Sequence, residues 1–211
     1  GPGQGETRNR GVIITPGNFA EAAKATVQWL ADRPEIDGDR IVIRGSSFGS
    51  CYGTFAAAAL KDKIKGYCAT GVCQEPGCDT IFNAASPTFK VRFMFMAGYE
   101  DEDAFDEFRQ EFDLRVIAGD ITAPYMIVAG EADQLSPIQD TYELFDLIEA
   151  PKRLVVYQDA DHSMGNASSG DLGEGRESLV YDWLRDRVDG KPVVSERVMV
   201  DSRGHMNATP Y

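Results

Sequence analysis

The chain has 211 residues, with 34 Asp and Glu against 21 Lys and Arg, for a formal net charge of -13. Its length and an apolar fraction of 43% suit one sizeable globular domain, while the acidic balance excludes non-specific nucleic-acid binding, which needs clustered Lys and Arg to neutralise phosphates. No run approaches the roughly 20 apolar residues of a membrane span and the start has no signal-peptide pattern, so the expectation is a soluble, cytoplasmic protein with no membrane partner.

After a glycine-rich opening, GPGQGE, the segment NFAEAAKATVQWLADRPE places Phe19, Ala22, Ala23, Val27 and Leu30 at helical spacing, with Asn18 as its cap. Residues 40 to 44 are strand-like and lead to Ser47, and a small-residue pattern predicts a helix from Phe48 to Leu60. IKGYCATGV is a second apolar strand and APYMIVAG, residues 123 to 130, a third, followed by a helix over about Ile138 to Ile148. RLVVYQD, residues 153 to 159, is a fourth strand, leading into a final helix near Glu174 to Val188. Short apolar strands alternating with helices predict an α/β fold, a parallel sheet covered on both faces.

Between Gly71 and Pro124 lie about fifty residues, too many for a simple crossover. They hold Phe82, Phe89, Phe93, Phe95, Tyr99, Phe105, Phe108 and Phe112, which suggests a lid over the sheet or an added core layer. The expected organisation is therefore a core with the nucleophile turn over 1–72, a lid or cap insertion over 73–120, a core with acid and base loops over 121–190, and a C-terminal tail over 191–211. The tail shows no strong periodicity and is expected to wrap the surface or frame a partner. Cys51, Cys68, Cys73 and Cys78 form no CxxC pair, so buried free thiols are expected rather than a metal or redox site. The acidic run at residues 99 to 113 is expected to be a solvated helix face.

The stretch IRGSSFGSCYG carries two adjacent serines on a strand-turn-helix junction. A serine on such a turn needs small residues two places before and after it. Ser47 has Gly45 and Gly49, whereas Ser46 has Arg44 and Phe48, so Ser47 is the expected nucleophile. A serine hydroxyl needs a histidine to take its proton and an acid to orient that histidine. Of the two histidines, His162 follows the last apolar strand in YQDADHSMGN, where loops form the active-site rim, while His205 sits in the tail. Asp133, just beyond its strand in MIVAGEADQLSP, is the expected acid; Glu131 is an alternative, and Asp159 and Asp161 share the loop of His162 and suit less well. The order Ser47, Asp133, His162, each after a strand, gives the motif its weight.

With GSSFG, GEADQLSP and DADHSMG in these places, the chain resembles the α/β-hydrolases. More narrowly, through GPGQGE, it is similar to the group of dihydroxypseudooxynicotine hydrolase, fungal polyketide-shortening hydrolases and FrsA-like esterases. The resemblance implies a serine hydrolase acting on a small-molecule ester, or on a carbon-carbon bond next to a carbonyl, with no metal and no cofactor. It assigns Ser47 as nucleophile, His162 as base, Asp133 as its orienter and the backbone N–H of Phe48 as one oxyanion donor. In that group strands precede the GPGQGE-like segment and a loop among them gives the second oxyanion donor. The expectation is therefore an upstream segment or second chain that adds strands beside the nucleophile strand; a shortened hydrolase that dimerises, or covers that edge with residues 191 to 211, is the alternative. Carbon-carbon cleavage calls for a further acid, for which Glu75 and Asp79 are nearest in sequence. Rival readings are a catalytically silent binding module and a peptidase.

Overall fold

The computed structural model describes residues 1–167 and 175–211. A four-residue helix, α1 (Glu6–Asn9), follows the glycine-rich opening, and α2 spans Pro16–Ala31. Thr15, not Asn18, caps α2: its side chain accepts from the Asn18 N–H, and Pro16 occupies the first turn, where a missing N–H costs nothing. The Asn18 amide instead donates to the Ile13 carbonyl at 2.8 Å and fixes the approach to the helix.

From there strands and helices alternate as the periodicity predicts: β1 (Val42–Ser47), α3 (Phe48–Leu60), β2 (Gly66–Val72), β3 (Tyr125–Gly130), α7 (Ile138–Leu147), β4 (Lys152–Tyr157) and α8 (Arg176–Val188). Glu174, where the last helix is expected to begin, lies outside the described residues. Between β2 and β3 come α4 (Asp79–Ala84), α5 (Pro87–Ala97), α6 (Glu102–Phe108) and several 3-10 turns.

The tail differs from expectation. Residues 196–200 form β5 (Glu196–Val200), parallel to β4, and 206–210 form β6 (Met206–Pro210), antiparallel to β5, so the sheet runs β1-β2-β3-β4-β5-β6 with five parallel strands. In ERVMV only Val198 and Val200 are fully buried, a two-residue signal too short to stand out as periodicity. Asp201 closes the hairpin by accepting from the N–H groups of Arg203 and His205 at 2.8 and 2.9 Å, and its second oxygen pairs with His205 Nδ1 at 3.0 Å. The hairpin lies beside β4, so it does not cover β1.

Alternation along the strands divides two cores. Tyr67, Ala69, Tyr125, Ile127, Leu154 and Val156 face α2, α3 and the insertion, whereas Cys68, Met126, Val128, Val155 and Val198 face α8. The insertion is a packed layer: Phe82, Phe93, Phe105, Phe108 and Phe112 are buried in the first core, and only Phe95 among the aromatics named above is exposed. Arg109 locks it internally, donating to Asp106 at 2.7 Å, to the Gly77 carbonyl at 2.9 Å and to Asp79.

Candidate active site

β1 ends in a bulge, where Ser46 pairs with Thr70 and Ser47 with Val72, and the chain turns directly into α3. Ser47 takes φ 55° and ψ -128°, a conformation that costs a non-glycine residue about 1–3 kcal/mol. The sequence rule for the flanking glycines holds at one of them. A Cβ at Gly45 would lie 2.1 Å from the Gly49 carbonyl oxygen, so only glycine fits; a Cβ at Gly49 meets no described atom within 4 Å. The unforeseen requirement is Gly53, where a Cβ would lie 2.4 Å from the Tyr67 ring.

The turn separates the two serines. Ser46 is exposed, while the half-buried Ser47 places its Oγ 2.9 Å from His162 Nε2. His162 comes from the loop after β4, and its Nδ1 lies 2.8 Å from Asp133 Oδ2, in the loop after β3. Asp133 is 7% exposed, and its Oδ1 accepts from the N–H groups of Leu135 and Ser136 at 2.8 and 3.2 Å, which fixes the carboxylate plane. A carboxylate only accepts, so Nδ1 carries the ring proton and Nε2 is left free to accept from Ser47. The alternative acids point elsewhere: Glu131 accepts from the Asp159 N–H at 3.2 Å, and Asp161 accepts from the Ser163 hydroxyl at 2.7 Å, a bond that lowers its pKa. His205 is 43 residues further along, in the exposed β5–β6 turn.

Phe48 is the first residue of α3, so its N–H is one of the four amides with no acceptor inside the helix. Its ring touches the insertion, with centroids 4.2 Å from Phe93, 5.5 Å from Phe82 and 5.6 Å from Phe89. The Cys73 thiol stands 3.9 Å from Ser47 Oγ, and burial holds it well above the usual thiol range, so it is a neutral wall. The Cys73 N–H is already engaged by Ser50 Oγ at 2.8 Å. All four cysteines are buried free thiols. On the α8 side a cavity of about 150 Å³ is lined by Ser46, Ser47, His162, Arg44, Arg176 and Glu177.

Glu75 and Asp79 do not reach this place as free acids. Glu75 accepts from the Thr80 N–H and hydroxyl at 2.6 and 3.0 Å, and Asp79 is bound to Arg109. Among the described residues no group of three or more His, Cys, Asp or Glu is placed to hold a metal, and no helix is long and apolar enough to cross a membrane.

The mostly parallel sheet with flanking helices, and the strained serine between β1 and α3, define an α/β-hydrolase fold. Residues 17–190 match the model of the prolyl oligopeptidase family, and the chain belongs to that family. No curated protein sequence matches it. Among solved structures, 2,6-dihydroxy-pseudo-oxynicotine hydrolase is similar with TM-score 0.76 and 24% identity, over 92% of this chain and 53% of that one. Porphyromonas gingivalis dipeptidyl peptidase 4 gives TM-score 0.65 and 18% identity over 90% and 26%, and acetyl xylan esterase 1 from Thermoanaerobacterium sp. gives 0.58 and 16% over 80% and 52%. The chain thus spans about half the length of the first of these hydrolases, the one it resembles in the group expected from GPGQGE.

Proposed function

We propose that the protein is a serine hydrolase that cleaves small-molecule esters through an acyl-enzyme. Ser47 Oγ attacks the ester carbonyl as His162 Nε2 takes its proton; Asp133 keeps the ring oriented and favours the imidazolium that forms. The Phe48 N–H receives the developing oxyanion. His162 then returns the proton to the leaving alcohol, and a water activated by the same nitrogen releases the acid. The observation that carries this reading is the continuous pair of hydrogen bonds from Ser47 to His162 to Asp133, at 2.9 and 2.8 Å.

An ester suits these residues better than a carbon-carbon bond, because the engaged Glu75 and Asp79 offer no acid to protonate a carbanion. Peptide cleavage is the second reading, favoured by the family match. The buried free thiols agree with a reducing, cytoplasmic setting.

The second oxyanion donor comes from whatever covers β1, in this reading an upstream segment of the same polypeptide that adds a parallel strand. β1 is at the end of the strand order, and beside it runs an apolar groove of about 370 Å³ lined by Phe19, Val27, Leu30, Ile41, Ile43 and Tyr52. Such a row of unpaired backbone groups is one that natural proteins cover. The test is labelling by a fluorophosphonate, which reacts only with an activated serine. Labelling lost in Ser47→Ala and kept in Ser46→Ala supports the reading; labelling that survives Ser47→Ala contradicts it, and a native protein that never labels favours the silent binding module. Residues 1–211 that are monomeric and fully active alone would contradict the need for a covering segment.

A further inference from the structure

A strained turn persists only where its surroundings over-determine it, so the ties that hold Ser47 in place are themselves part of the site. On the strand side the tie is the pairing of β1 with β2. On the helix side the ties converge on Ser50, three residues after the serine. The Ser50 carbonyl accepts from the Tyr67 hydroxyl and from the Thr54 hydroxyl, both at 2.8 Å, and its Oγ accepts from the Cys73 N–H at 2.8 Å.

Tyr67 touches both arms of the turn. It is fully buried in β2, with its hydroxyl 2.8 Å from the Ser50 carbonyl oxygen and 3.5 Å from that of Gly49. The same oxygen lies 2.5 Å from where a Cβ on Gly45 would be, and its ring fills the space a Cβ on Gly53 would need. Gly45 and Gly53, on either side of the turn, thus both leave room for this one side chain. Burial holds the phenol far above its usual pKa, so it stays a hydrogen-bond donor across the working range. Tyr125 makes an internal control. It is equally buried and packs edge-on against Tyr67 at 5.0 Å, but its hydroxyl meets Thr54 Oγ1, at 2.6 Å, and reaches the Ser50 carbonyl only through that hydroxyl.

We propose that Tyr67 is a positioning residue for the reaction: by gripping the first-turn carbonyls of α3 it holds the Phe48 amide and Ser47 in the geometry that the oxyanion requires. This rests on Ser47 being the nucleophile. A misdirected oxyanion donor weakens only the transition state, so kcat and kcat/KM should fall together while KM stays put.

The experiment compares Tyr67→Phe with Tyr125→Phe, using p-nitrophenyl acetate hydrolysis and fluorophosphonate labelling well below each variant's unfolding temperature. Tyr67→Phe should lose about tenfold in kcat and in labelling rate with KM unchanged, whereas Tyr125→Phe should stay within about twofold in all three despite a comparable loss of thermal stability. Equal losses in the two variants, or native kcat in Tyr67→Phe, would overturn the proposal and leave the hydrolase reading intact. Should the native protein not label at Ser47, the hydrolase reading fails first and this one with it. If Tyr67→Phe is too unstable to assay, the double variant Tyr67→Phe/Gly49→Ala is compared with Gly49→Ala alone, since alanine in that open helical position stabilises: a fall of about tenfold in kcat at constant KM supports the clamp, and equal kcat overturns it.

Discussion

The two edges of the sheet are built differently. At one, β6 runs antiparallel to β5, is short, and leaves Asn207, Ala208, Thr209 and Pro210 exposed. A short strand with polar residues and a proline is a common way to end a sheet. At the other, β1 is a parallel strand whose Val42 and Ile43, like Ile41 just before it, are only half-buried, with Ile41 and Ile43 packed toward one core and Val42 toward the other. Parallel strands are stable when covered on both faces and paired on both sides. The serine therefore sits on an edge strand, whose outer row of backbone groups pairs with no other strand among the described residues, while its histidine and acid follow strands paired on both sides. The Ser47–His162–Asp133 hydrogen bonds are formed within the described residues, whereas the pairing of β1 is open at its edge.

The largest effects should fall at the centre. Ser47→Ala or His162→Ala should lower turnover by roughly 10⁴-fold or more, and Asp133→Asn by about 10³–10⁴-fold, in ester hydrolysis assays. Glycine replacements then sharpen the contrast between strand and helix arms. Gly45→Ala should cost more than about 3 kcal/mol by urea denaturation, since its Cβ would overlap the Gly49 carbonyl. Gly49→Ala, facing open space in a helix, should be neutral or stabilise by up to about 1 kcal/mol. If β1 is covered by a further strand in the whole protein, Gly49→Ala there loses that gain. At the finished edge, Val198→Ala should cost about 1–3 kcal/mol, because Val198 is fully buried against α8; a cost near zero would mean that the hairpin is an appendage.

The alternation of strands, the helix from Phe48 to Leu60 and the places of Ser47, Asp133 and His162 were legible because each rests on local signals: β-branched runs, a small-residue helix and polar residues just past strand ends. Three features were not. Thr15 rather than Asn18 caps α2 because Pro16 resets where the helix begins. β5 and β6 have five residues each and only two fully buried side chains between them, so their place depends on β4 rather than on their own pattern. The requirement for Gly53 was hidden because its cause, Tyr67, lies on another strand. The aromatic insertion offered the right residues without the decision between lid and core layer, since burial is a property of the whole packing.

A smaller effect tests how dry the centre is. Burial raises the pKa values of Cys68, Cys73, Tyr67 and Tyr125, and a hydrogen bond with Cys51 together with burial raises that of Cys78. The folded state therefore binds more protons than the unfolded chain once the unfolded thiols ionise, and stability falls with rising pH. It should be full below about pH 8 and decline from there to pH 10, each thiol contributing at most about 1.4 kcal/mol per pH unit. Urea midpoints that stay flat from pH 7 to 10 would mean that water reaches these groups.

The most direct test of the central claim is the site of covalent attachment. After reaction with a fluorophosphonate, digestion and mass spectrometry of the peptide spanning residues 45–61 should place the adduct on Ser47, and His162→Ala should abolish it. An adduct on Ser46, or one on Ser47 that forms at the native rate without His162, would contradict the account.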